Sequence, residues 1–164
     1  MAGEERNSPP DVLYSTAPAR LFRAWLLLCL ALALHVTDEA STGFLSVYNP
    51  TVVALRKTWR WFPMPVFTFE VWLTGLVLPV VLLLCVSPWI LRGARWPRPL
   101  AYAFAIMMTG NALGHTLGTI LGRTVTSVQF PRPMPGFISS PLLLIASAYM
   151  LYELRRSRPN QSAA

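Results

Sequence analysis

The stretch LFRAWLLLCLALALHVTDE, Leu21 to Glu39, is apolar for most of its length and closes on one imidazole and two acids. Its length approaches the ~20 residues that an α-helix needs to cross ~30 Å of hydrocarbon. Residues 1–20 before it are polar, carry Glu4, Glu5 and Asp11 among several prolines, and read as a disordered tail. A cleavable signal needs a short apolar core followed by a small-residue cleavage site. This run instead passes straight into His35, Asp38 and Glu39, so a retained membrane span is expected.

Outward from that run the pattern recurs. Val66 to Leu91 is long enough to cross with some tilt, Pro79 inside it predicts a bend, and Arg92, Arg95 and Arg98 stop it. Leu100 to Leu121 carries Gly110, Gly114 and Gly118, with Gly122 just beyond, at a spacing of four that predicts a close helix-packing face. After a proline-rich loop to Pro135, a fourth run from Phe137 to Leu154 ends against Arg155 and Arg156, and residues 155–164 form a polar tail. Between the first two runs, Asn49 and Pro50 read as an N-cap followed by proline at the first helical position. Val52, Leu55, Trp59 and Phe62 then recur at helical spacing, with Arg56, Lys57 and Arg60 elsewhere, which predicts a short helix in the headgroup plane. The expected fold class is all-α: a polytopic membrane protein with four transmembrane helices over residues 21–154 and a short interfacial helix between spans 1 and 2.

Composition points the same way. Of 164 residues 54% are hydrophobic and 13% charged, more apolar side chain than a soluble domain of this size buries. The net charge of +7 sits in arginines flanking apolar runs, the pattern of a membrane orientation signal, so nucleic acid is not an expected partner. Arg6, Arg20, Arg23, Arg92, Arg95, Arg98, Arg155, Arg156 and Arg158 fall on one side of the four spans. Arg56, Lys57, Arg60, Arg123 and Arg132 fall on the other, and nine basic residues against five predict both termini in the cytoplasm. Cys29 and Cys85 lie in apolar runs and read as small hydrophobes, the tryptophans as interfacial belts, and Glu153 as an interfacial charge.

Ionisable side chains inside spans are costly, so each needs a partner, a wet cavity or a function. At ~1.5 Å per residue, His35 lies ~21 Å beyond Leu21, His115 ~22 Å beyond Leu100, and Glu70 ~6 Å below Val66. With helices of alternating direction, these depths nearly coincide on the non-cytoplasmic side. His35 and Glu39 are four apart, as are Asn111 and His115, so each pair shares a helix face. His35, Glu39, Glu70 and His115 are the candidate ligands of a divalent transition metal, zinc, iron or manganese, since neutral imidazole and carboxylate suit those ions. The same residues with Asn111 also form a candidate acid–base set that needs no metal. Asp38, nearest the surface, reads as a solvated helix end.

These motifs resemble the HXXEE-motif family of membrane proteins, which has no assigned activity. His35-Val36-Thr37-Asp38-Glu39 resembles the naming motif, with Asp38 in place of the first Glu. Glu70 falls where the family has a further acid, Asn111-Ala112-Leu113-Gly114-His115 resembles its NxxxH, and Pro135-Gly136 followed by Ser139 and Ser140 resembles the turn that opens its last span. The aromatic-rich approach to that turn is missing. The resemblance covers about Leu21 to Leu154 and implies a site without naming its chemistry.

Two function classes remain open at this level. One is an intramembrane site, metal-bound or acid–base, acting on a small apolar or lipid-like substrate that enters between helices. The other is a non-enzymatic membrane protein, a proton- or ion-coupled carrier or a partner subunit, whose polar residues hold helices together. The apolar inner halves of the spans, such as Ala24 to Leu34 and Leu76 to Val86, argue against a polar path across the bilayer.

Overall fold

An unbroken apolar run becomes an unbroken helix: α1 spans Thr16–Thr42 in the computed structural model, which describes residues 16–157. Residues 16–20, expected in the tail, are helical. The expected disorder of residues 1–15, the positions of Arg6 and Arg158, and the rest of the C-terminal tail lie outside the described residues.

Helix α1 ends in a tight turn. Gly43 has φ +75°, and the Phe44 N–H reaches back to the Glu39 carbonyl at 3.0 Å, a closure that only glycine enters without strain. The chain therefore enters α2, Leu45–Thr58, at once, and Asn49 and Pro50 lie inside that helix instead of opening it. Local spacing misplaced the start because the Gly43 turn, not the Asn-Pro pair, sets it. Asn49 instead ties α2 to the segment that precedes the next helix. Its amide donates to the Phe67 carbonyl at 2.9 Å and accepts from the Phe67 N–H at 3.0 Å. Tyr48 adds a hydroxyl bond to the Pro65 carbonyl, and its ring stacks on Phe67 with centroids 5.8 Å apart. Arg56 reaches the Met64 carbonyl at 2.8 Å. Segment 59–68 is thereby folded back along α2.

Helix α3, Phe69–Leu91, stays helical through Pro79 and Pro88, and Thr68 caps it by accepting from the Val71 N–H. Helix α4, Pro97–Leu121, starts on Pro97, and α5 spans Ser140–Arg156. Between α4 and α5, where an irregular loop was expected, β1 (Arg123–Val125) and β2 (Val128–Gln129) pair antiparallel against α2. The fold is thus mostly helical and not purely so. The β-branched Thr124, Val125 and Val128 supply the local strand preference.

Helix α1 packs against α3 and α5, and α5 packs against α4. The shared core is built from Trp25, Leu28 and Leu32 of α1, Phe104 and Met108 of α4, and Leu143 and Met150 of α5. Trp25 belongs to this core and not to an interfacial belt. Its indole N–H donates to the Ser87 hydroxyl and the Leu83 carbonyl, each at 3.2 Å, fastening α1 to α3. Trp72 is likewise buried. Glu153 is buried as well, 3.6 Å from the Arg20 guanidinium, and ties the end of α5 to the start of α1.

The glycine ladder does not form a packing face. Nothing stands within 4 Å of a side chain built at Gly110 or Gly114, whereas Gly118 backs onto Met134 and Gly122 caps α4 beside Arg132. Helix α4 buries a face that carries Ala101, Phe104, Ala105, Met108, Ala112, His115 and Gly118, while Gly110 and Gly114 are exposed. Among the described residues, two helices, the Ala17–Thr42 part of α1 and the whole of α3, are long and apolar enough to cross a membrane. Cys29 is buried, Cys85 exposed, and both are free thiols.

Candidate metal centre

His35 and Glu39 stand one turn apart on the buried face of α1, and His115 enters from α4. The imidazole rings meet edge-on, with centroids 4.7 Å apart and planes at 88°. Glu39 Oε1 lies 3.0 Å from His115 Nε2 and 3.5 Å from His35 Nε2. One ligand atom from each residue falls within 4.8 Å of the other two, and all three residues are buried.

The far side of each ring fixes its proton. His115 Nδ1 is 2.7 Å from the Pro135 carbonyl, which only accepts, so Nδ1 carries the hydrogen and donates. His35 Nδ1 is 2.8 Å from Ser139 Oγ. That hydroxyl has one hydrogen, directed at Asp38 Oδ2 at 2.8 Å or the Gly136 carbonyl at 3.2 Å, both acceptors. Ser139 Oγ must therefore accept from His35 Nδ1–H. In neutral imidazoles with Nδ1 protonated, both Nε2 atoms present lone pairs. Two lone pairs and a carboxylate oxygen then converge with no hydrogen among them, an arrangement that is repulsive until a cation or an added proton enters. His35 Nε2 is the sharpest case, buried with no hydrogen-bond partner among the described residues.

A tetrahedral ion with bonds of ~2.1 Å places its donor atoms roughly 3.4 Å apart. The two separations from the carboxylate oxygen, 3.0 and 3.5 Å, bracket that spacing, and the three donor atoms together lie within 4.8 Å of one another. Two His and one Glu are also a ligand set that catalytic zinc uses with a fourth position left for water or substrate. The carbonyl on the outer nitrogen of His115 is what metal-binding histidines ordinarily have, and the outer nitrogen of His35 reaches the Asp38 carboxylate through the Ser139 hydroxyl.

The turn opening α5 closes the site. Gly136, at φ +83°, carries its backbone so near the cluster that a Cβ there would lie 2.7 Å from His115 Cε1 and 2.8 Å from Glu39 Cγ. The Gly136 N–H donates to Thr42 Oγ1 at 3.1 Å, and the Ser139 N–H donates to Asp38 Oδ2 at 2.8 Å. Asp38 is thus half-buried and anchors the turn. The reading of it as a solvated helix end is corrected: a residue three positions after His35 faces α5.

Glu70 is not brought to the cluster. It is exposed in the first turn of α3, where a negative charge is favoured by the helix dipole. Asn111 lies beside the cluster. With Glu39 it lines a cleft of about 380 Å³ whose other walls include Phe44, Tyr48, Phe67 and Trp72. Its side-chain amide makes no hydrogen bond to another described residue.

The chain matches no protein family, no curated protein and no solved structure. The site rests on its own geometry. Sequence reasoning missed Ser139 as the partner of His35 and the Pro135 carbonyl as the partner of His115, although both belong to the Pro-Gly-x-x-Ser stretch it singled out. The spacing from Asp38 to His35 was the available signal, since residues three apart share a helix side.

Proposed function

We propose that this chain is a polytopic membrane protein that holds a divalent transition metal, zinc, iron or manganese, on His35, Glu39 and His115 and acts on a small apolar or lipid-like substrate. The observation that carries this reading is the convergence of three electron-pair donors, one of them buried with no hydrogen-bond partner among the described residues. A metal on three protein ligands keeps a position for water, lowers its pKa and polarises a substrate oxygen. The cleft beside Glu39 supplies access, and Asn111 orients the substrate through its unengaged amide.

Membrane residence is supported by α3, which is apolar around its circumference and exposes Val77, Leu78, Val81 and Leu82. In this reading α4 and α5 are the third and fourth spans: 25 and 17 residues at ~1.5 Å each give roughly 37 and 25 Å. Both termini then lie in the cytoplasm and the metal centre near the opposite face. Membership of the HXXEE-motif family is part of the proposal. Its support is that residues from three of the resembling motifs, His35 and Glu39, His115, and Gly136, meet at one place.

Elemental analysis of the detergent-purified protein tests the metal. One equivalent per chain, lost in His35→Ala and in His115→Ala, is expected. Metal-free protein that zinc neither binds nor stabilises overturns it. The 3.0 Å contact of Glu39 with His115 favours a second reading in that event, a shared proton and acid–base chemistry.

A further inference from the structure

Helices α3 and α4 touch only lightly, and the space between them is not random in shape. The cleft beside Glu39 is walled on α3 by Trp72, Gly75 and Leu76 and on α4 by Asn111. A second cavity of about 340 Å³ continues along the same two helices, walled by Pro79, Leu83 and Val86 on one and by Ala103, Phe104 and Met107 on the other. On α3 these positions advance by three or four residues and so keep to one face, and on α4 they do the same in the opposite direction. The two cavities therefore follow one another along a single seam.

The seam has a polar end and an apolar end. Glu39 and Asn111 stand at the first, while the second cavity is lined by apolar side chains throughout. Tyr48 adds no free hydroxyl, because its OH is bonded to the Pro65 carbonyl. From Gly75 to Val86 the eleven steps at ~1.5 Å make roughly 17 Å. Half of the ~30 Å hydrocarbon core, which one lipid tail spans, is ~15 Å. The polar end also lies at the end of α1 and the start of α3, so the seam runs inward from the helix termini, as a tail runs inward from its headgroup. Gly75 keeps the way open: nothing lies within 4 Å of a side chain built there.

We infer that the α3–α4 seam binds one aliphatic tail of a lipid, with the polar group joined to that tail held beside Glu39 and Asn111. This rests on the proposed metal centre for the role of the polar end, and it narrows the substrate class to single tails joined to a compact polar group. The apolar length selects for an unbranched chain long enough to reach Val86. A flat fused-ring molecule fills the cleft and leaves the second cavity unused.

A lysolipid carrying a diazirine at the tip of its tail is the probe, photolysed with the full-length protein in lipid nanodiscs, with adducts mapped by mass spectrometry and zinc measured on the same sample. Adducts concentrated on residues 79–86 and 100–107 are expected. Ala103→Trp, which fills the seam far from the cluster, is expected to reduce them about tenfold with zinc content unchanged. A lysolipid without diazirine, in excess, is expected to compete, and a sterol is not. Labelling spread over the outer faces of all the helices, or undiminished in Ala103→Trp, means ordinary annular lipid and overturns the inference. Seam-specific labelling of protein that binds no zinc supports the tail site while the metal centre fails. Diffuse labelling of zinc-loaded protein does the reverse.

Discussion

His115 Nε2 lies 3.0 Å from Glu39 Oε1 while its Nδ1 donates to the Pro135 carbonyl at 2.7 Å, so the ring is held at both ends by acceptors. A neutral imidazole has one hydrogen and satisfies only the carbonyl. The unsatisfied contact is where an ion or a proton is called for, and the residues that maintain it are the ones to substitute.

Ser139→Ala removes the acceptor that fixes the His35 ring, and Asp38→Asn removes the carboxylate that orients Ser139. Each is expected to weaken zinc binding by about 10–100-fold, the usual cost of losing a partner of a ligating histidine. Competition against a chromophoric chelator measures it. Binding within twofold of the unsubstituted protein in both variants means the Asp38-Ser139 chain does not serve a metal.

Gly136→Ala places a methyl where His115 and Glu39 already stand and forces alanine to φ +83°. A cost on the order of 1–3 kcal/mol is expected from the backbone alone. Thermal unfolding in detergent gives the number, and an unchanged melting temperature contradicts the close approach.

Glu70→Gln is the contrasting substitution. An exposed acid in a first helical turn contributes ~0.3–1 kcal/mol through the dipole and holds nothing in the cluster. Zinc stoichiometry is expected to stay at its original value. A loss of metal in this variant places the acid in the centre after all.

Asn49→Ala cuts both bonds that hold Phe67 to α2. Leaving the Phe67 backbone unpaired costs roughly 1–3 kcal/mol locally, enough to loosen segment 59–68 over the cleft. Hydrogen exchange at residues 64–68 is expected to rise at least tenfold while α1 and α4 keep their protection. Equal protection throughout shows that other contacts hold the segment.

The metal reading also has a pH signature. Protons and the ion compete for the same Nε2 lone pairs, so bound zinc is released on acidification and retained as the solution becomes alkaline. Elemental analysis after dialysis across a pH series follows the release. Retention that does not change with pH indicates ligands other than imidazole.

Much of the site was legible because it was built from helical spacing. His35 and Glu39 share a face by being four apart, and His115, at a similar distance along its own apolar run, meets them. Glu70 shows the limit of that argument. Its depth matched, but depth is one coordinate, and the direction in which α3 turns the residue is set by packing against α1 through Trp25, Leu83 and Ser87. The Asp38 to Ser139 bond joins residues 101 positions apart and depends on how α5 enters, which no local pattern encodes. Asn49 and Gly110 were misread for the opposite reason: each fits a familiar local motif that tertiary contact overrides.

Glu39 belongs to two environments at once, touching the paired imidazoles and walling the cleft. If the proposed centre and the proposed tail site are both occupied, each is felt by the other through this carboxylate. A guest in the cleft that shifts the affinity of the centre for its ion by some factor must find its own affinity shifted by that same factor when the ion is present. On the proposed metal reading, a single carboxylate makes cargo and ion mutual effectors, with no moving part required.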